Sequence, residues 1–110
     1  MAADEERIIS YLSFQIGEEI FAVHVNHVQS IMEMVEITKV PDAPEYMLGV
    51  INLRGSVLPV IDSRIKLRMQ AVKKNENASI IVLEVQLNDK EMLLGIVVDD
   101  VQEVFELEDE

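Results

Sequence analysis

The sequence has no cysteine, and that absence removes disulfide bridges, thiol catalysis and Cys-based zinc sites together. It also lacks tryptophan and has only three phenylalanines and two tyrosines in 110 residues. Nearly half the residues are apolar (49%), so one packed domain is expected, with an interior of Val, Ile, Leu and Met. That palette favours strands, because Val and Ile suit a pleated, half-buried surface. Positive charge is scarce: 9 Lys and Arg against 21 Asp and Glu give a formal net charge of −12. Such a surface is repelled by nucleic acid and by anionic lipid, so neither is an expected partner. No apolar run approaches the roughly 18 residues of a membrane span. The opening Met1-Ala2-Ala3-Asp4-Glu5-Glu6-Arg7 is acidic and polar, without a signal-peptide pattern, and the expected address is the cytoplasm.

Catalytic chemistry is thin as well. Gly49, Gly55 and Gly95 are isolated and form no phosphate loop. No serine stands in a Gly-x-Ser-x-Gly context. The only histidines, His24 and His27, have the i, i+3 spacing that would let them meet a metal with Glu33 or Glu36. The plainer reading puts His24 on a solvated strand face and His27 in a first helical turn. Asp99-Asp100 is a carboxylate pair, and acids are favoured where a helix starts. No catalytic residue, metal or cofactor is expected, and an enzyme is not the reading.

Along the chain, residues 1–7 read as a loose tail. Ile8 to Ile16 alternates, with Leu12, Phe14 and Ile16 on one face, and Gly17-Glu18-Glu19 forms a turn into a second strand, Ile20 to Val25. The period then changes. Asn26 caps, Gln29 reaches back, and Val28, Ile31, Met32 and Val35 follow at helical spacing, so a helix of about two turns is expected. After a loop bearing Pro41 and Pro44, Leu48–Leu53 and Val57–Asp62 form a hairpin around Arg54-Gly55. Pro59 implies that its strand is an edge or is bulged there. Residues 63–79 hold five of the nine basic side chains and read as a solvated connection. Ile80–Leu87 and Met92–Val98 form another hairpin, followed by a helix capped at Asp99 with Val101, Val104 and Phe105 on its apolar face.

Residues 21–29 and 94–102 match in period, cap and Gln, so a strand–turn–strand–capped-helix unit occurs twice. Only the first unit is followed by a hairpin. A sheet short of its expected strands exposes unpaired backbone, so association through that gap is expected, as a homodimer by strand exchange or by docking of a partner strand. The alternative is a small fold that needs no second hairpin. Arg54, at an apolar hairpin tip in a chain poor in positive charge, reads equally as a partner-facing guanidinium or as an ordinary turn residue.

Leu48-Gly49-Val50-Ile51-Asn52-Leu53-Arg54-Gly55-Ser56-Val57-Leu58-Pro59-Val60-Ile61-Asp62 closely resembles the signature hairpin of the CheW-like chemotaxis coupling proteins. The opening strands from Phe14, the approach loop Pro41–Met47 and the run Leu94–Val104 resemble the same family. The similarity spans roughly residues 8–107, which would form one CheW-like domain, with 108–110 an acidic end. The resemblance implies a mainly β fold of two small SH3-like β-barrel subdomains with short capped helices, the second subdomain incomplete. It implies a non-enzymatic adaptor that contacts a chemoreceptor cytoplasmic tip and the regulatory domain of the chemotaxis histidine kinase. Carried over position by position, Arg54 with Asn52 and Leu53 matches the hairpin tip implicated in assembly. Val28, Ile31 and Glu33 match positions near a partner-facing groove, and Val98 and Asp99 match its second side. The resemblance tips Arg54 toward the partner-facing role. Family members usually run on past Glu110 through a second hairpin and a closing helix. The resemblance also admits a detached regulatory domain of a kinase or receiver fusion, and the open edge a self-assembling structural module.

Overall fold

Alternation of apolar and polar residues folds most of the chain into antiparallel hairpins. The computed structural model describes residues 7–62 and 78–109. In chain order the elements are β1 (Arg7–Ile16), β2 (Glu19–His24), a short 3-10 helix (Val25–His27), β3 (Val28–Glu33), β4 (Met47–Leu53), β5 (Ser56–Asp62), β6 (Ser79–Leu87), β7 (Lys90–Val98) and β8 (Asp100–Asp109). They form a three-stranded sheet ordered β2-β1-β8 and a five-stranded sheet ordered β3-β6-β7-β5-β4. The expected mainly β fold is present. Of the tail expected at 1–7, residues 1–6 lie outside the described residues and Arg7 belongs to β1; of the connection expected at 63–79, residues 63–77 lie outside them and Ser79 opens β6. Glu108 and Asp109 belong to β8 rather than to a separate acidic end.

Both expected helices are strands. Val28 pairs with Leu83 and Ile31 with Ile81, and a β-bulge lies between Val28 and Ser30. Val101 pairs with Phe14 and Val104 with Leu12, again across a bulge. A bulge adds one residue to one strand, so positions i and i+3 come to the same face. That spacing imitates a helix in sequence. The two bulges sit at equivalent places in the repeat, around Gln29 and Gln102. In β8 the Ser13 hydroxyl accepts from the Glu103 N–H (3.2 Å) and donates to the Glu103 carbonyl (3.0 Å), satisfying backbone that the bulge frees.

The repeat is therefore a hairpin followed by a bulged strand, and its two copies exchange third strands. β3, which follows the β1–β2 hairpin, pairs with β6, while β8, which follows the β6–β7 hairpin, pairs with β1. The exchange ties the two sheets into one core. Ile51, Leu58, Val60, Ile80, Val82 and Val97 form one buried cluster. Leu12, Phe14, Ile16, Ile81 and Val98 form the other, between the sheets. β6 serves both, since Ile80 and Val82 face the first cluster and Ile81 the second, all with no exposed surface.

Pro59 needs neither an edge nor a bulge at its own position. β5 lies inside the sheet, but its parallel ladder with β7 covers only Val60–Asp62. On the other side Pro59 faces Val50, whose N–H and carbonyl both turn to Thr38, at 2.8 and 2.9 Å. Pro59 thus sits at a pair that asks no ladder hydrogen bond of it. The irregularity is in β4, between Met47 and Gly49. There Gly49 has φ +151°, and a Cβ on it would meet the Thr38 carbonyl oxygen at 2.2 Å. Only glycine permits the Thr38 segment to lie that close.

Candidate partner-binding surface

The β4–β5 hairpin ends in a two-residue turn, Arg54-Gly55, flanked by the pair Leu53 and Ser56. Both turn residues have positive φ (52° and 85°), the type I′ arrangement whose twist matches that of the strands. Asn52 Oδ1 accepts from the Gly55 N–H at 3.0 Å and braces the turn. Asn, Asp and Gly are the usual residues at the first position, and Arg gains nothing local there. A left-handed, exposed Arg is an outlier that points to use of its guanidinium.

Beside the tip lies a groove of about 480 Å³. Leu53, Val57, Leu58 and Pro59 form one wall, Met92 and Leu93 of β7 continue the floor, and Gln29 and Ser30 of β3 close the far side. Leu53 and Leu93 also pack against the first core cluster, so the floor is held by the interior. Val57 is 69% exposed, the most exposed large apolar side chain among the described residues. An apolar floor with an exposed cation at its rim suits a protein partner.

The remaining positions fall into two groups. Ile31 and Glu33 are exposed on β3, an edge strand, and Val28 is half-buried against the inter-sheet core. Val98 and Asp99 do not face outward. Val98 has no exposed surface. Asp99 is buried at the β7–β8 junction, where its Oδ2 accepts from the Gly17 N–H at 2.5 Å and its own N–H donates to the Gln15 carbonyl at 2.8 Å. Its observed bond is to the β1–β2 turn rather than to a helix start. The surface role implied for these two positions cannot be carried by their side chains.

His24 and His27 lie edge to face with ring centroids 5.8 Å apart, and His24 Nδ1 accepts from the Asn26 N–H at 3.0 Å, within the 3-10 turn. Among the described residues no group of three or more His, Asp or Glu is placed to hold a metal ion. No helix among them is long and apolar enough to cross a membrane. Sequence reasoning missed the contribution of Met92, Leu93 and Gln29 to the groove. Their strands meet the hairpin only through a parallel pairing between distant segments, which leaves no local signal.

The model of the CheW-like domain matches residues 10–110. A chemotaxis protein CheW from Helicobacter pylori is 34% identical over 104 residues, covering 94% of this chain and 61% of that protein. CheW of Klebsiella aerogenes is 37% identical over 97 residues, covering 88% of this chain and 56% of that protein. Among solved structures, the scaffolding protein TtCheW from Thermoanaerobacter tengcongensis superposes with a TM-score of 0.81 at 31% identity, covering 90% of this chain and 65% of that one. The chain thus spans about three fifths of the curated relatives it matches. With the signature hairpin, the exchanged strands and these matches in agreement, the chain belongs to the CheW-like family.

Proposed function

We propose that this chain is a non-enzymatic chemotaxis adaptor that couples a chemoreceptor cytoplasmic tip to the chemotaxis histidine kinase. The observation that carries the reading is Arg54, held exposed in a left-handed turn beside an apolar groove. The kinase's CheW-like regulatory domain is the partner assigned to this tip. Ile31 and Glu33, exposed on the edge strand β3, with Val28 behind them, are the positions we assign to a second contact. The family resemblance supports both assignments.

The test is calorimetric titration of the chain with the kinase regulatory domain from the same source. Saturable binding is expected, and Arg54→Glu is expected to weaken it about tenfold or more, since a removed charge contact costs ~1.5–3 kcal/mol. A folded chain that does not bind overturns the adaptor reading. Binding that survives Arg54→Glu unchanged removes Arg54 from the contact. We also assign strand exchange between copies to the outer edge of β2, which has no partner strand among the described residues. A strict monomer in light scattering overturns that assignment.

A further inference from the structure

The groove beside Arg54 does not end at β7. A second depression of about 310 Å³ is lined by Gln29, Glu84, Glu91, Met92 and Leu93. It shares Gln29, Met92 and Leu93 with the groove at the hairpin tip, so the two form one trough across the strands. One end carries the Arg54 guanidinium and the other the Glu84 and Glu91 carboxyls. Strand order sets the separation: β6 is two to three strand spacings from the β4–β5 tip, or about 10–15 Å.

The acidic end is not an arbitrary patch of an acidic protein. Glu84 pairs with Leu93, and Gln86 with Glu91, so Glu84 and Glu91 are diagonal neighbours on one face of the β6–β7 ladder. Like charges in that relation repel, and the Glu91 carboxylate favours the protonated form of Glu84. A hydrogen bond with Glu91 and then its charge raise the Glu84 pKa, slight desolvation adds to this, and His27 pulls the other way. These are the titratable groups that face Glu84 among the described residues. No Lys or Arg is among the groups that act on Glu84. The pair therefore carries an unmet preference for a cation, beside a floor that prefers an aliphatic side chain.

We propose that this trough seats a single protein surface in one orientation: a Lys or Arg of the partner meets Glu84 and Glu91, a partner carboxylate about 10–15 Å away meets Arg54, and an aliphatic side chain between them packs on Leu93. This rests on the reading of Arg54 as a partner contact and adds polarity to it. A partner docked the other way round would set base against Arg54 and acid against the carboxyl pair. Such juxtapositions reject wrong orientations more strongly than the right contacts attract.

The experiment titrates the whole chain with the kinase regulatory domain at two salt concentrations, comparing wild type, Arg54→Glu and the double variant Glu84→Gln/Glu91→Gln. The double variant is expected to bind about tenfold more weakly, with a shallower salt dependence, and to melt no lower than wild type because it relieves a repulsion. A second variant, Glu84→Lys, is expected to weaken binding further than the neutral pair. Double-variant binding equal to wild type in affinity and salt slope, while Arg54→Glu still loses affinity, overturns this inference and leaves the adaptor reading standing. A wild-type chain that does not bind at all overturns both.

Discussion

Leu53 with Ser56 and Leu87 with Lys90 each flank a two-residue turn, and all four turn residues have positive φ: 52° and 85° for Arg54-Gly55, 52° and 66° for Asn88-Asp89. The same turn closes two hairpins of opposite character. β6 and β7 pair without irregularity over nine residues, and β6 is buried on both faces over Ile80–Val82. β4 is bulged at Leu48 and held by the Thr38 segment, and its hairpin exposes Arg54 at the turn and Val57 on β5. One turn uses two residues that suit left-handed backbone, and the other places Arg at its first position. On the function proposed above, the comparison separates a hairpin that holds the fold from one that gives up local stability to present Arg54 and Val57.

The sharpest way to break this comparison is to truncate one apolar side chain on each hairpin. Ile81 has no exposed surface and lies in the inter-sheet cluster, so Ile81→Ala is expected to cost about 2–5 kcal/mol, much of the stability of a domain this size. Val57→Ala, at a side chain 69% exposed, is expected to change stability by less than about 0.5 kcal/mol while weakening partner binding. Urea midpoints and titrations on the two variants measure both quantities. Equal loss of stability would show that the β4–β5 hairpin is as structural as β6–β7.

The next effect is smaller and of opposite sign in its two readouts. Arg54→Asn places a residue that tolerates left-handed backbone where Arg sits at φ 52°, and is expected to stabilise the chain by about 1 kcal/mol. That gain is expected to raise the melting temperature by a few degrees and to come with loss of partner affinity. At the other turn, Asn88→Ala forces an unsuited residue into φ 52°, and is expected to cost about 1 kcal/mol with affinity unchanged. Thermal melts and titrations of the two variants form a crossed pair. A destabilised Arg54→Asn chain would remove the argument that Arg54 is kept for function.

The hairpins were legible because period-2 alternation and two-residue turns are local signals. Leu12, Phe14 and Ile16 read as one inward face and are buried. The third strand of each repeat was not legible, because the bulges at Gln29 and Gln102 turn a strand's apolar spacing into a helix's. No residue near Val28 or Val101 announces the distant strand that overrides the apparent helix. The same limit governs the site. Arg54 stood out as a cation at a hairpin tip, while Glu84, Glu91, Met92 and Leu93 join it only through the parallel β5–β7 pairing of Val60–Asp62 with Gly95–Val97. Val98 and Asp99, carried over by resemblance, proved to be interior, Val98 as core and Asp99 as the clamp on Gly17.

The smallest effect concerns the carboxyl pair on the otherwise regular β6–β7 hairpin, and it sharpens the claim that this hairpin is structural everywhere except at its trough end. The hydrogen bond with Glu91, and then the Glu91 charge, raise the Glu84 pKa above its ordinary 4.5. A carboxyl raised on folding favours the native state when protonated. Its contribution is present in full below the ordinary value and is lost as pH rises through the raised one. At neutral pH the pair is left with its repulsion, reduced by solvent screening at this surface. Glu91→Gln removes that repulsion. Its urea midpoint is therefore expected to lie above wild type at pH 7, and the difference to shrink toward pH 4. A difference that is the same at both pH values would mean that packing on Met92 or Gln29, rather than charge, sets the cost of placing two acids there. The acidic end of the trough would then have no electrostatic demand for a cation to answer.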